Sequence, residues 1–244
     1  MRKDFDQSIS VFFPTYNEEE NIERAVNQAT EVLERFCGDF EIIIVDDGSR
    51  DGTSKLSSEL ARRDPRVRVV RHEENRGFGA ALRSGIESAS KDLIFYTDSD
   101  NQFDMREINR LLERLDDGVD MVVGFRIDRQ DPAMRIFTAW VYNLMIRFLF
   151  GLRVRDVDCS FKVFRREIFQ GMTIRARSGL ADAEILIKAI KAGHRFCEVG
   201  VHHYPRTHGA TSYNIGRWQN FGFVRPAVVT EILGEIRCLW SELR

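Results

Sequence analysis

Short apolar runs alternate with amphipathic segments along the first half of the chain, and this alternation constrains the fold more than any other feature. The runs have the length and the β-branched or aromatic content of buried strands, and the segments between them have helical spacing of apolar residues. Strands that alternate with helices form a mostly parallel sheet covered by helices. We therefore predict an α/β fold with a mostly parallel central sheet sandwiched by helices, with strands at residues 9–13, 41–45, 67–70, 93–96 and 121–123.

The second half of the chain is less regular and is predicted to complete the same unit. Helices are expected at residues 136–152 and 180–192, and a short strand at residues 199–204. Pro226 can start a last helix, because proline is favoured in the first helical turn. We therefore predict one domain over residues 1–215 and a C-terminal helical extension over residues 216–244, which would serve as a membrane-interface or subunit contact.

Charge and cysteine content argue against several classes of protein. Lys and Arg number 36 and Asp and Glu 38 in 244 residues, so the net charge is −2 and no nucleic-acid partner is expected. The four cysteines form no C-x-x-C pair, which is typical of proteins from a reducing compartment. No stretch approaches the roughly 20 apolar residues that span a bilayer. We therefore expect a cytoplasmic protein that is at most peripheral at the cytoplasmic face of a membrane.

Two carboxylates, Asp98 and Asp100, follow the apolar run at residues 93–96. The carboxyl ends of parallel strands meet at one edge of the sheet, and ligands bind there. Carboxylates with one residue between them suit a hard divalent ion that keeps water ligands and bridges substrate phosphates, as Mg²⁺ and Mn²⁺ do. We predict such a metal site; the alternative is a solvated acidic turn.

Polar and aromatic residues also follow the first two strands, at residues 13–21 and 45–49. An aromatic ring can stack on a base, and a carboxylate can accept a hydrogen bond from a base N–H group. The alternative is helix capping by Thr15 or Asn17, with acidic residues in the first helical turn. Capping does not explain why two strand ends carry such groups together, so we predict a nucleotide site.

Short motifs occur in a characteristic order at residues 13–19 (FPTYNEE), 44–53 (IVDDGSRDGT), 75–81 (NRGFGAA), 97–102 (TDSDNQ), 124–126 (GFR), 156–166 (DVDCSFKVFRR) and 203–209 (HYPRTHG). In order and spacing they resemble those of an inverting family-two glycosyltransferase with the GT-A fold, a Rossmann-like nucleotide-sugar fold. Within that family the chain is similar to the dolichyl- and polyprenyl-phosphate sugar synthases. The resemblance covers about residues 8–215.

The resemblance implies a role for individual residues on the donor side. Contacts to the nucleoside are expected from Pro14, Tyr16, Glu18, Val45 and Asp47. Contacts to the diphosphate are expected from Asp98, Ser99 and Asp100, with Asp98 and Asp100 holding the metal, and Arg206 is expected to reach a donor phosphate. Ser212 stands where the family often has a lysine.

On the acceptor side, the resemblance implies that Arg126 binds the acceptor phosphate, and Arg129 and Arg135 are further cations nearby. Asp156 matches a family motif and Glu184 an acidic family position, so the predicted catalytic residues are Asp100, Arg126, Asp156 and Glu184. An alcohol acceptor needs a base, for which Glu184 and Asp182 are candidates, whereas a phosphate acceptor is already anionic. Lys162 and Arg165 are expected to be surface charges.

The resemblance implies sugar transfer from a nucleotide-diphosphate sugar to a polyprenyl phosphate, with Mg²⁺ or Mn²⁺ as cofactor. Negative charge that builds on the leaving diphosphate is stabilised by the metal and by cationic side chains. The alternatives are transfer to a soluble or polysaccharide hydroxyl, and a catalytically silent nucleotide-sugar-binding protein. The aromatic helix at residues 136–152 suits a membrane interface, a core position or a contact in a homo-oligomer.

Overall fold

One mixed β-sheet forms the centre of the computed structural model, which describes residues 7–115, 118–129, 131, 133–209 and 226–243. Within these residues the strands are β1 (Ile9–Thr15), β2 (Phe40–Asp46), β3 (Val67–Arg71), β4 (Leu93–Thr97), β5 (Met121–Ile127), β6 (Phe161–Arg165) and β7 (Phe196–His202). They lie in the order β3-β2-β1-β4-β6-β5-β7. Neighbouring strands are parallel except where β6 pairs with β4 and β5.

Helices cover both faces of the sheet. They are α1 (Ile22–Leu33), α2 (Thr53–Arg63), α3 (Phe78–Ser88), α4 (Ile108–Leu112), α5 (Ala133–Phe150), α6 (Leu180–Lys191) and α7 (Pro226–Glu242). Side chains alternate between the faces along each strand, so Val11 and Phe13 pack with α1 and α4, whereas Phe12 packs with α3 and α6. The sheet therefore separates two apolar cores.

The predicted α/β architecture is confirmed. In α1 the apolar residues with helical spacing form the buried face: Ile22, Ala25, Val26, Ala29, Val32 and Leu33. Strand β6 is an addition to the predicted strands, and its second residue, Lys162, is fully buried. Of the predicted acceptor-side cations, Arg126 lies in β5 and Arg135 in α5.

The C-terminal helix α7 is part of the core. Ile236 and Leu239 are only 6% and 3% exposed and belong to the same apolar cluster as α6. The predicted boundary at residue 215 and Ser212 both lie outside the described residues. Among the described helices, none combines the length and the apolar character needed to cross a bilayer.

Candidate functional site

The carboxyl ends of β1, β2 and β4 lie side by side, because β1 pairs in parallel with both of the others. Thr15 at the end of β1 is paired with Asp46 at the end of β2. The segments that carry Glu18, Asp47 and Asp98 therefore leave the sheet at one edge. This is the edge at which α/β sheets bind ligands, so the strand-end clusters are brought together as predicted.

The acidic pair after β4 is largely withdrawn from water. Asp100 is 7% exposed, and Asp98 is partly buried. Burial, followed by the charge of Asp100, raises the pKa of Asp98 to about 7. Burial also raises the pKa of Asp100, although the Arg206 guanidinium opposes that shift. A cation bound beside these two neighbouring carboxylates would stabilise their charged forms.

The oxygen ligands at this position fit Mg²⁺ or Mn²⁺. The backbone N–H of Gln102 donates to Oδ1 of Asp100 at 3.1 Å, and the Ser160 hydroxyl bonds to Asp98, so both carboxylates are oriented. In the described part of the chain, no three or more His, Cys, Asp or Glu side chains are grouped to hold a metal by themselves. Two carboxylates suit an ion that takes its remaining ligands from water and substrate phosphates.

Arg206 links the first strand end to the acidic pair. Its Nη2 donates to Oε1 of Glu18 at 2.5 Å, and its Nη1 donates to Oδ2 of Asp100 at 3.4 Å. Its Nε donates to the carbonyl of His208 at 2.6 Å. The guanidinium thus lies beside Asp100, where a diphosphate would bring two further acceptors. Glu18 also accepts from Nδ2 of Asn21 at 2.7 Å, so both of its oxygens have protein partners.

Asp47 is held by the loop that precedes α3. It accepts hydrogen bonds from the backbone N–H groups of Arg76 and Gly77, each at 2.9 Å. The Nδ1 of His72 donates to it at 2.6 Å, and the other ring nitrogen bonds to the Ser84 hydroxyl at 2.8 Å. A carboxylate has about four acceptor positions, so Asp47 keeps one for a ligand N–H. His72 carries no local signal in the sequence, because only the pairing of β2 with β3 brings residue 72 beside residue 47.

The remaining predicted nucleoside contacts differ in accessibility. Pro14 and Tyr16 are partly exposed where β1 ends, and the Ser99 hydroxyl donates to the Pro14 carbonyl at 3.4 Å. Val45 is 0% exposed and its side chain belongs to the apolar core. Only the backbone of Val45 can therefore face a nucleoside.

Arg126 at the end of β5 is fixed by Asp156. Its Nε and Nη2 donate to the two carboxylate oxygens of Asp156 at 2.6 and 2.7 Å. Both side chains are nearly inaccessible, at 7% and 8% exposed. A bidentate pair of this kind orients the guanidinium. Asp156 is thus a partner of Arg126, and we assign it the role of positioning that cation.

Asp131 forms ion pairs with the other two arginines that were predicted on the acceptor side. It lies 3.0 Å from Arg129 and 3.2 Å from Arg135, and His203 is 3.7 Å away. Burial lowers the pKa of His203 to about 4, and Arg126 and the other two arginines act in the same direction. Asp131 was not among the predicted site residues, and its i,i+4 spacing to Arg135 is the one local signal of this pairing.

A cavity of about 210 Å³ lies between the end of β5 and α5. Arg126, Arg129 and Arg155 contribute cations to its lining, against the single carboxylate of Asp156, and Ile136 and Trp140 contribute apolar surface. The cavity therefore combines groups that bind an anion with groups that bind a hydrocarbon.

Glu184 occupies a structural position. It is 1% exposed and accepts hydrogen bonds from the backbone N–H groups of Arg175 and Ala176 at 2.9 and 2.8 Å. Lys188 Nζ donates to it at 2.7 Å. Since these partners occupy its oxygens, the geometry does not support the expected role as a base. Its role is to hold the loop before α6.

Lys162 corrects another expectation, because it is 0% exposed and is not a surface charge. Its Nζ lies 2.5 Å from Oδ1 of Asp182 and 3.1 Å from the hydroxyl of Tyr96. The Tyr96 hydroxyl also donates to Asp182. Asp182 is therefore committed to this buried network and is not available as a base.

The architecture is that of the GT-A glycosyltransferases. Glucosyl-3-phosphoglycerate synthase from Mycobacterium tuberculosis, in a crystal structure with Mn²⁺, UDP and phosphoglyceric acid, matches with a TM-score of 0.70 and 19% identity over 95% of this chain and 79% of that chain. Another crystal structure of the same synthase contains Mg²⁺ and UDP. These similarities establish the fold and confirm the GT-A prediction.

Sequence comparison identifies the family. The model of glycosyl transferase family 2 matches residues 10–172, and the chain belongs to this family. It is 35% identical over 218 residues to an undecaprenyl-phosphate 4-deoxy-4-formamido-L-arabinose transferase from Pseudomonas aeruginosa, covering 88% of this chain and 63% of that protein. It is 34% identical over 209 residues to glycosyltransferase AglD from Haloferax volcanii, covering 81% of this chain and 33% of that protein. The chain thus spans less than two thirds of the length of either relative.

Proposed function

We propose that this protein is an inverting glycosyltransferase that moves a sugar from a nucleotide-diphosphate sugar to a polyprenyl phosphate, with Mg²⁺ or Mn²⁺ at Asp98 and Asp100. The observation that carries the acceptor assignment is the cavity beside β5. Two of its lining residues, Ile136 and Trp140, are 39% and 58% exposed on α5. An anion-binding cavity that continues into an exposed apolar surface fits a phosphate with a long hydrocarbon tail.

The apolar surface on α5 is larger than a soluble acceptor needs. The exposed residues are Met134, Ile136, Phe137, Trp140, Val141, Leu144, Phe148 and Leu149, and Phe148 is 87% exposed. Contiguous exposed apolar surface of this kind is typical of membrane or protein contacts. Arginines near both ends of the helix, Arg135 and Arg147, add attraction to anionic lipid. We propose that α5 lies against the cytoplasmic face of a membrane and that the protein is peripheral there.

In the proposed reaction, an oxygen of the acceptor phosphate attacks the anomeric carbon while the bond from the sugar to the diphosphate breaks. The bonding electron pair leaves with the nucleoside diphosphate. Arg206 holds a donor phosphate and Asp47 accepts a base N–H, so the leaving group is fixed at both ends. A divalent metal would supply Lewis-acid stabilisation of the charge that develops on the diphosphate.

On the acceptor side, Arg126 and Arg129 hold the phosphate of the lipid. Because a phosphate is already anionic, no general base is required for the attack. A reaction without a general base agrees with the positions of Glu184 and Asp182, whose oxygens are bonded to other groups of the protein. Names of relatives also support the proposal, since the Pseudomonas aeruginosa protein is an undecaprenyl-phosphate sugar transferase.

A transfer assay tests this function. Purified protein would be incubated with Mn²⁺, liposomes that contain undecaprenyl phosphate, and a panel of radiolabelled UDP, GDP and dTDP sugars. We expect label to enter the organic phase with one donor, and Arg129→Ala to reduce this transfer about tenfold or more, as loss of a charge-assisted hydrogen bond does. Arg62→Ala, on the exposed surface of α2, is the matched control.

Two outcomes would overturn the proposal. Label that reaches only water-soluble or polymeric products would assign the enzyme a hydroxyl acceptor. Binding of a nucleotide sugar without any transfer or hydrolysis would assign a silent binding protein. For the surface of α5, Phe148→Ser should weaken liposome sedimentation; if it instead dissociates a dimer, that surface is a contact between two copies of the chain.

A further inference from the structure

One carboxylate of the C-terminal helix α7, that of Glu235, is bonded to the loop that precedes α6. Glu235 accepts a hydrogen bond from the backbone N–H of Arg177 at 2.7 Å and a longer one from the N–H of Ser178 at 3.3 Å. The Ser178 hydroxyl donates to its other oxygen at 2.5 Å. Glu235 therefore satisfies the backbone of a loop that has no regular structure of its own.

The other side of this loop, residues 176–178, packs against the start of α3. The carbonyl of Arg177 accepts from the N–H of Gly79 at 2.8 Å. A Cβ at Gly79 would lie 2.1 Å from the Ala176 carbonyl oxygen, and one at Gly77 would lie 2.8 Å from that of Arg177. The two backbones are in direct contact, so a shift of residues 176–178 must be transmitted to residues 77–79.

Gly77 in turn helps to orient Asp47, together with Arg76 and His72. Its N–H and that of Arg76 donate to the two oxygens of Asp47, each at 2.9 Å. These bonds orient the carboxylate that we assign to the nucleoside. A series of contacts thus joins the Glu235 carboxylate to the backbone of Arg177, that backbone to the turn at Gly77, and the turn to the Asp47 carboxylate.

We propose that Glu235 is a positioning residue for the nucleoside end of the donor site. The inference rests on the proposed function, because it takes the donor to be a nucleotide sugar bound at Asp47. Without Glu235, the N–H groups of Arg177 and Ser178 lose their acceptor, and the loop moves toward water to satisfy them. The turn at Gly77 then loses its support, and Asp47 no longer meets the base in one orientation.

Other groups hold α7 without contacting residues 177 and 178. Glu242 pairs with Lys188 at 3.0 Å and lies 3.7 Å from Arg175. Loss of Glu242 should loosen α7 but leave the bonds of Glu235 to residues 177 and 178 in place. Glu242→Ala is therefore the matched control for general loosening of the helix.

The test is calorimetric titration of the intact chain with UDP, GDP, CDP and dTDP, each with Mn²⁺ present. We expect the wild type to bind one of them, and Glu235→Ala to raise its Kd about tenfold, within the range found for residues that act through a contact network. Glu235→Gln keeps an acceptor oxygen and should recover most of the affinity. The Kd for Mn²⁺ alone should change less than twofold in every variant, and Glu242→Ala should bind the nucleotide as the wild type does.

Each contrary result has a distinct meaning. If the wild type binds none of the four diphosphates, the donor assignment fails and the inference fails with it. If the wild type binds and Glu235→Ala binds equally well, or Glu242→Ala weakens binding as much, only the inference is overturned. Hydrogen exchange on the wild type needs no variant: the bound nucleotide should protect the amides of residues 177 and 178, and unchanged exchange there would contradict the proposal.

Discussion

Replacement of Lys162 by methionine offers the sharpest test of the buried polar network under β4. Lys162 is 0% exposed, and its Nζ lies 2.5 Å from Asp182. Lys162→Met keeps most of the apolar stem but removes the charge, which leaves the Asp182 carboxylate with the Tyr96 hydroxyl and no cation. Removal of one partner from a buried ion pair costs about 3–5 kcal/mol. This is a large part of the roughly 5–15 kcal/mol by which proteins are stable.

The measurement is urea unfolding at 25 °C, followed by circular dichroism, on three variants and the wild type. We expect Lys162→Met to lower the free energy of unfolding by about 3–5 kcal/mol. The double variant Lys162→Met with Asp182→Asn should recover about 2 kcal/mol of that loss, because contacting residues couple by 0.5–3 kcal/mol. Lys55→Met, on the exposed surface of α2, is the control and should change stability by about 0.5 kcal/mol or less.

Two results would refute the reasoning about Lys162. A loss below about 1 kcal/mol would mean that the charge is solvated and that the ion pair is not buried. A double variant as unstable as Lys162→Met would mean that Asp182 is not the group left uncompensated.

Three further predictions concern the site and its surroundings. Asp100→Ala should lower Mn²⁺-dependent transfer about a thousandfold, since metal stabilisation of the leaving group is worth several kcal/mol; full turnover in the transfer assay would remove Asp100 from the site. Glu184→Gln should lower the unfolding free energy by about 1.5–3 kcal/mol, because its charge-assisted hydrogen bonds are weakened. The kcat at saturating donor should stay within about twofold of the wild type, whereas loss of a general base would lower kcat about 10²–10⁴-fold. Burial, followed by the charge of Asp182, raises the pKa of Asp158 to about 7, so the folded protein keeps a proton that the unfolded chain releases near its ordinary pKa of 3.8. Stability from this group therefore falls by about 1.4 kcal/mol per unit as pH rises from about 4 to 7; denaturation at pH 5 and pH 8 should show a shallower fall for Asp158→Asn, and an unchanged fall would contradict the assignment.

The sheet was predictable where strands carry uninterrupted apolar side chains. The run at residues 42–45 is buried on both faces, and its β-branched content predicts a central strand without any tertiary information. Strand β6 was not predictable in this way, because its second residue, Lys162, is a charged side chain in a buried position. A lysine is tolerated there only because Asp182 and Tyr96, distant in sequence, supply partners in the folded protein.

The donor side of the site was predictable because its residues follow directly from strand ends. Asp98 and Asp100 leave a buried strand together, so their convergence needs only local chain direction. Their partners were less accessible to sequence reasoning. The bond of His72 to Asp47 joins groups 25 residues apart.

The sequence by itself determined the α/β class and the placement of Asp98 and Asp100 after a buried strand, because strand periodicity and chain direction are local properties. Tertiary structure alone decided which charged groups face a ligand and which are bound to other groups of the protein. Glu184 and Asp156 have the residue type of catalytic acids, yet one holds backbone N–H groups and the other holds Arg126. The physical reason is that a carboxylate's role depends on the partners that occupy its oxygens, and those partners come from elements far apart in the chain.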